Sequence, residues 1–355
     1  MPRCLSIVDE SSLKINNRLA SFSMKATAIA HANIAFVKYW GNRNDEAGKE
    51  GLNLPYNDSI SMNLDNAITK TTVEFSPNYK EDVVVINGKV VEGRKKERVV
   101  NFLNFVRELA SVEHKCKVAS ENNFPMGCGI ASSASAGAAL ALACCKALGL
   151  PTEESFVSRM ARRFSGSASR SVPPGFVRWK ASENDEECFA TSIASPHHWK
   201  LCDVVAMVSE EHKKVTSAQG HLLAKTSPFF KARLEEVKER VEKVHQAILD
   251  KDIATLGEEI EREAISMHVV MMTSSPPLFY WSPETIALIK ALHEWRESGE
   301  VQAYFTIDAG PNVHLICEER EKDKLLELLQ GLPFLKRTFI NFPSEGAKLV
   351  KEHLF

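Results

Sequence analysis

Apolar and polar positions alternate from Ile60 to Leu64, the period of a half-buried strand. Thr71-Thr72-Val73-Glu74-Phe75 is rich in β-formers, so the stretch from Thr27 to about Phe75 predicts strands joined by turns. Val83–Ile86, Asn87-Gly88 and Lys89–Val91 predict a strand, a tight turn and a second strand. The period then changes. Val99, Phe102, Phe105, Val106 and Leu109 recur at helical spacing, which predicts an amphipathic helix over Glu97–Ala110. Cys116–Ser120 reads as a strand running into a glycine-containing segment at Phe124–Ile130. Ser132–Leu148, rich in Ala and Leu, predicts a helix that stops at Gly149 with Pro151 beyond. A linker-like break falls at Ser195-Pro196, and Leu201–Ser209 begins a new apolar strand. Helices are predicted over Leu234–Leu256 and Pro283–Ser298. Two short strands, Tyr304–Ile307 and Val313–Ile316, flank Asp308–Asn312. No internal repeat is present, and the order predicts an α+β protein.

Composition narrows the class. A chain of 355 residues, 44% hydrophobic, favours two domains. We place the boundary at 196/197, giving units 24–196 and 197–355. The formal net charge of -2 gives no footprint for nucleic acid. Eight cysteines without a C-x-x-C pair point to reduced, buried thiols of a cytoplasmic protein and to no zinc or other metal site. No apolar run reaches the length of a membrane span. Met1–Ser23 carries Asp9 and Glu10 without a continuous apolar core, so it reads as a flexible extension and not as a secretory signal.

Four segments carry candidate chemistry. Pro125–Ala136 sets glycines and serines before a long helix, an arrangement suited to an anion or to an ordinary serine cap. No Gly-Lys-Ser/Thr follows, so it is not a Walker A loop. Lys38 ends an apolar strand and either meets a buried anion or snorkels to solvent. Arg170 stands in the hydroxyl-rich turn Ser165–Ser171, able to pair with carboxylate or phosphate. Asp308 precedes a Gly-Pro turn, placed to act as a base or to bond its own backbone.

In their order these segments resemble the mevalonate diphosphate decarboxylase family of the GHMP kinase superfamily, closest to its phosphomevalonate decarboxylase subgroup. The matching pieces are Asn33–Asn42, Leu52-Asn53-Leu54-Pro55, Ser59-Ile60-Ser61, Gly129–Ala134 and Asp308–Asn312. The resemblance implies a ribosomal-S5-like N-terminal half, a ferredoxin-like C-terminal half and a cleft between them. It implies that ATP, with Mg²⁺, phosphorylates the 3-hydroxyl of a 5-phosphorylated mevalonate, and that phosphate and CO₂ then leave. Asp308 would orient or deprotonate the hydroxyl, Lys38 would stabilise charge, and Arg170 would hold the carboxylate. Tyr39, Asn42, Ser165 and Ser167 would assist in binding substrate. Gly127, Gly129, Ala131, Ser132, Ser133 and Ser217 would meet ATP. Relatives also imply a homodimer. Asn42 and Ala218 replace cations that hold the outer phosphate in diphosphate enzymes, which favours mevalonate 5-phosphate as substrate. Phe164, Pro174 and Arg178 depart from the pattern around the Arg170 loop. Diphosphomevalonate decarboxylation, a 3-kinase without decarboxylation and a non-catalytic sensor are the alternatives.

Overall fold

The computed structural model describes residues 24–124, 132–210 and 215–355. The leader 1–23 and three residues assigned to ATP, Gly127, Gly129 and Ala131, lie outside the described residues.

The first sheet is built on a long antiparallel hairpin, β1 (Met24–Val37) and β2 (Ser59–Ser76). The expected alternation holds in β2, where Ile60, Met62 and Leu64 are wholly buried. β3 (Val83–Ile86), β4 (Lys89–Val90) and β5 (Lys115–Asn122) extend the sheet on the far side of β2. β6 (Phe176–Trp179) pairs with the start of β2, and β7 (Ala190–Ala194) with β6. Among the described residues three helices accompany this sheet: α1 (Arg94–Ala110), α2 (Ser132–Ala147) and α3 (Glu154–Phe164). α2 lies along β1 and β2. Its Ala134, Ala138 and Ala141 are fully buried, small side chains that let the helix approach the strands closely.

The second sheet has the order β11-β8-β10-β9 and is antiparallel throughout. Its strands are β8 (Leu201–Met207), β9 (Ala303–Thr306), β10 (Val313–Glu318) and β11 (Arg337–Asn341). Its helices are α4 (Ser217–Leu223), α5 (Phe230–Asp250), α6 (Ile253–Met272), α7 (Pro283–Glu297) and α8 (Lys322–Gln330). One apolar cluster spans both halves: Ile34, Phe36, Ile60 and Met62 pack with Val205, Val241, Ile248 and Ile316.

The helix expected over Leu234–Leu256 is corrected. Lys251 adopts φ 56°, a left-handed turn, and the Asp252 carboxylate caps the next helix by accepting the N–H groups of Ala254 and Thr255. Local capping ends one helix and starts another where the apolar period runs on. Leu109, expected on the buried face of α1, is instead 46% exposed. The six described cysteines are free and buried, as expected from their pattern.

The chain returns at its end. The segment after β11 bonds to the first half: Asp65 N–H donates to Phe342 O at 3.0 Å, and Gly175 N–H to Ser344 O at 2.8 Å. β12 (Lys348–Val350) then pairs antiparallel with β1, past the expected boundary at 196/197.

Candidate active site

β1 is buried along its second half and delivers Lys38 at its C-terminal end. Asp308 comes from the other half, two residues beyond β9. The turn carrying it is held by Asn312, whose Oδ1 accepts the N–H groups of Val208 and Ser209 at 2.9 and 3.0 Å. Thr285 Oγ1 donates to Pro311 O at 2.6 Å. Lys38 Nζ donates to Asp308 Oδ1 at 2.7 Å, with the lysine side chain 1% exposed and the aspartate 25%. The lysine is therefore paired, not snorkelled to solvent.

Burial pushes the Lys38 ammonium below its ordinary pKa, against the attraction of Asp308. Burial alone would raise Asp308; the charge and hydrogen bond of Lys38, with the charge of Arg170, outweigh it and hold the carboxyl below its usual range. His268 Nε2 donates to the Asp308 carbonyl at 3.2 Å. Burial, with Lys38 nearby, lowers His268 to about 3, so it is neutral and adds no charge behind the pair.

Arg170 stands in a 3₁₀ turn, Gly166–Ser171, packed against the N-terminal part of α2. Its Nη1 donates to Ser59 Oγ at 2.6 Å and its Nη2 to Asn33 Oδ1 at 3.3 Å. Its Nε has no partner among the described residues. Burial pushes its pKa down to about 10, which leaves it charged at neutral pH. Asn33 and Ser59 lie inside motifs legible in the sequence, yet their part in holding Arg170 shows only in the fold.

A cleft of about 620 Å³ brings together Lys38, Asp308 and Arg170 with Tyr39, Asn42, Ser165 and Ser167. Ser132 and Ser133, at the start of α2, and Ser217 and Ala218, at the start of α4, also line it. Asn42 Nδ2 donates to the Tyr39 hydroxyl at 3.2 Å, and burial raises the Tyr39 pKa so the phenol stays neutral. His221, not singled out in the sequence, stacks on Tyr39 at 4.2 Å and accepts Gly41 N–H at 3.0 Å. Phe164 packs edge-on against Phe102 and lies under Arg98, so this departure fills a core position beside α2. Arg178 pairs with Asp58 and Glu242. No group of three His, Cys, Asp or Glu could hold a metal among the described residues.

A Cβ at Gly166 would lie 2.4–2.7 Å from the Tyr39 ring and hydroxyl. Gly166→Ala must displace that ring. We expect a loss of about 1–3 kcal/mol in stability from overpacking, together with a lower kcat/KM. Thermal melting and saturation kinetics check both.

Lys38, Asp308 and Arg170 thus share one cleft with serine hydroxyls at the start of a long helix, the arrangement of a small-molecule enzyme on two packed α+β halves. Residues 30–190 match the model of the diphosphomevalonate decarboxylase-like N-terminal domain, and residues 203–349 that of the mevalonate 5-diphosphate decarboxylase C-terminal domain. The chain is 36% identical over 304 residues to a phosphomevalonate decarboxylase of Haloferax volcanii, covering 86% of this chain and 91% of that one. It is 36% identical over 324 residues to a diphosphomevalonate decarboxylase of Debaryomyces hansenii, covering 86% and 82%. A solved structure of MDDEF in complex with MVAPP, AMPPCP and magnesium superposes with TM-score 0.87 at 36% identity, over 93% of this chain and all of that one. The chain belongs to the diphosphomevalonate decarboxylase family.

Proposed function

We propose that this protein is an ATP-dependent decarboxylase of mevalonate 5-phosphate, releasing an isopentenyl phosphate, ADP, phosphate and CO₂. The observation that carries the reading is the 2.7 Å contact of Lys38 with Asp308 on the cleft that Arg170 also lines. Asp308, ionised, accepts the proton of the substrate's 3-hydroxyl or orients it as the γ-phosphoryl group of ATP transfers. Lys38 stabilises the charge that develops on the transferring oxygens. Arg170 holds the carboxylate, with Ser165 and Ser167 as neutral donors. The 3-phosphate then leaves with the C–O electron pair. The carboxylate leaves as CO₂, and the electrons of its C–C bond become the new double bond.

ATP is a second substrate here. Ser132, Ser133 and Ser217 supply hydroxyls to its phosphates, and Gly127, Gly129 and Ala131, outside the described residues, would supply backbone N–H groups. Hard hydroxyl oxygens such as those of Ser132 and Ser133 suit Mg²⁺ accompanying the nucleotide, which would supply charge neutralisation to the transferring phosphoryl group. AMPPCP and magnesium in the complex of the similar chain support this part. Action as a homodimer in the cytosol completes the proposal. Light scattering tests the dimer. Among the described residues no helix is long and apolar enough to cross a membrane.

The monophosphate is favoured because Asn42 and Ala218 line the cleft without charge. Each charge-assisted contact to an outer phosphate is worth roughly 1.5–3 kcal/mol, so their absence weakens a diphosphate most. Coupled ADP release on both substrates should show at least about a tenfold preference in kcat/KM for the monophosphate. Ala218→Arg should narrow it by about tenfold. A preference for the diphosphate overturns this choice. Phosphate transfer without CO₂ would favour a 3-kinase.

A further inference from the structure

Lys38 is fixed at its backbone by groups remote from the cleft. Glu263 on α6 is fully buried, and its Oε1 accepts the Lys38 N–H at 3.0 Å. Arg233 on α5 donates to the same carboxylate oxygen and, at 3.2 Å, to the Lys38 carbonyl. Arg240, one helical stretch further along α5, donates to Glu263 Oε2 at 2.9 Å and to Glu259 at 3.3 Å. Asn57 Nδ2 adds a neutral bond to the Lys38 carbonyl at 3.1 Å. Both backbone groups of this one residue thus end on a buried ionic cluster that spans two helices. None of these groups is among the residues that line the cleft with Lys38, Asp308 and Arg170.

Buried ion pairs seldom add net stability, since desolvation offsets their attraction. A cluster that costs this much to bury and ends on the backbone of a buried ammonium of the cleft fits a demand for position. The lysine stem has four rotatable carbons, and its own rotamers would otherwise spread Nζ over several places. Fixing N–H and C=O together sets the direction in which the stem leaves the chain. Burial of the stem does the rest, and the 2.7 Å contact follows.

We infer that Glu263 is a positioning residue for phosphoryl transfer: with Arg233 and Asn57 it clamps the backbone of Lys38 and so holds the ammonium against Asp308. The inference rests on the decarboxylase reading above for its effect on turnover. Its effect on Lys38 itself does not. Glu263 also acts through charge. The groups that face Lys38 are Asp308 from the turn after β9, Glu263 and His268 from α6, Arg170 from the 3₁₀ turn and Arg233 from α5. Glu263 and Asp308 favour the ammonium; Arg170 opposes it. Removing the Glu263 charge therefore lowers the lysine pKa further. Turnover needs the ammonium, so its alkaline limb moves to lower pH.

The test compares wild type with Glu263→Gln and Asn57→Ala in kcat, KM and pH profile, together with the titration of Lys38 Nζ followed by NMR of labelled lysine. Glu263→Gln should lower kcat about tenfold or more, as displacements near 1 Å do in a preorganised site. KM for both substrates should stay within about threefold. The alkaline limb and the Lys38 titration should both move to lower pH. Asn57→Ala should lower kcat with the limb unmoved, because no charge is lost. Asp82→Asn, which breaks the buried pair with Arg107 at 2.8 Å beside α1, should lower the melting temperature and leave kcat and the limb alone. Wild-type kcat and an unmoved limb in Glu263→Gln overturn the inference. If that variant does not fold, an unchanged kcat in Asn57→Ala does so. A wild type inactive on both mevalonate phosphates would defeat the decarboxylase reading, while the Lys38 titration in Glu263→Gln would still decide whether the clamp acts.

Discussion

Asp308→Asn is expected to lower kcat by about 10³-fold or more, the combined scale of a lost base and lost charge stabilisation. Two functions fail at once. An amide cannot take the hydroxyl proton, and it cannot balance the Lys38 ammonium. That lysine is 1% exposed and its pKa is already lowered by burial. Without the carboxylate its neutral form gains further, and the transferring oxygens face an amine in place of a cation. The stability effect should be smaller than for a fully buried pair, because Asp308 is 25% exposed and solvent in the cleft screens it. ATP binding should change little, since no serine of the phosphate end is touched. Coupled ADP release checks the first effect and a nucleotide titration the second. A variant with more than about a tenth of wild-type kcat would remove Asp308 from the chemistry.

Arg170→Ala should act differently. Arg170 is 2% exposed, and Ser59 and Asn33 accept from the two ends of its fork. It would meet the substrate carboxylate before and during reaction, so its loss weakens binding as well as turnover. Two charge-assisted bonds at roughly 1.5–3 kcal/mol each predict a fall in kcat/KM of about 10²–10⁴-fold, much of it in KM for the mevalonate substrate. Arg170→Lys should recover little. A lysine ammonium cannot reach Ser59, Asn33 and a ligand in one planar geometry. Saturation curves for each substrate separate this pattern from the kcat loss of Asp308→Asn. Equal KM in wild type and Arg170→Ala would end the assignment.

Much of this was legible in the chain, for reasons that differ by residue. Lys38 could be singled out because an apolar strand runs directly into it, and Asp308 because it interrupts two strands before a Gly-Pro turn. Order along the sequence, not spacing, brought the four segments to one family. What the sequence hid was long-range. Glu263 is 225 positions from Lys38 in the chain, and it lies beyond the helix predicted over Leu234–Leu256, in a stretch for which no element was predicted. The period of apolar residues also misled where capping decides, as at Lys251 and Asp252. His221 carried no local signal, since one histidine in a short helix resembles any surface histidine.

The route of the backbone restricts how the cleft can open. The polypeptide crosses between the halves once after Ala194 and again after Asn341. The second crossing is stitched to the first half by Phe342, Ser344 and Ala347 before Lys348–Val350 completes the edge of the sheet. Two tethers, together with the apolar cluster that both halves share, restrict any turning of one half on the other more than a single tether would. Cutting one tether, by proteolysis or circular permutation, should leave the shared apolar cluster as a remaining restraint on that rotation.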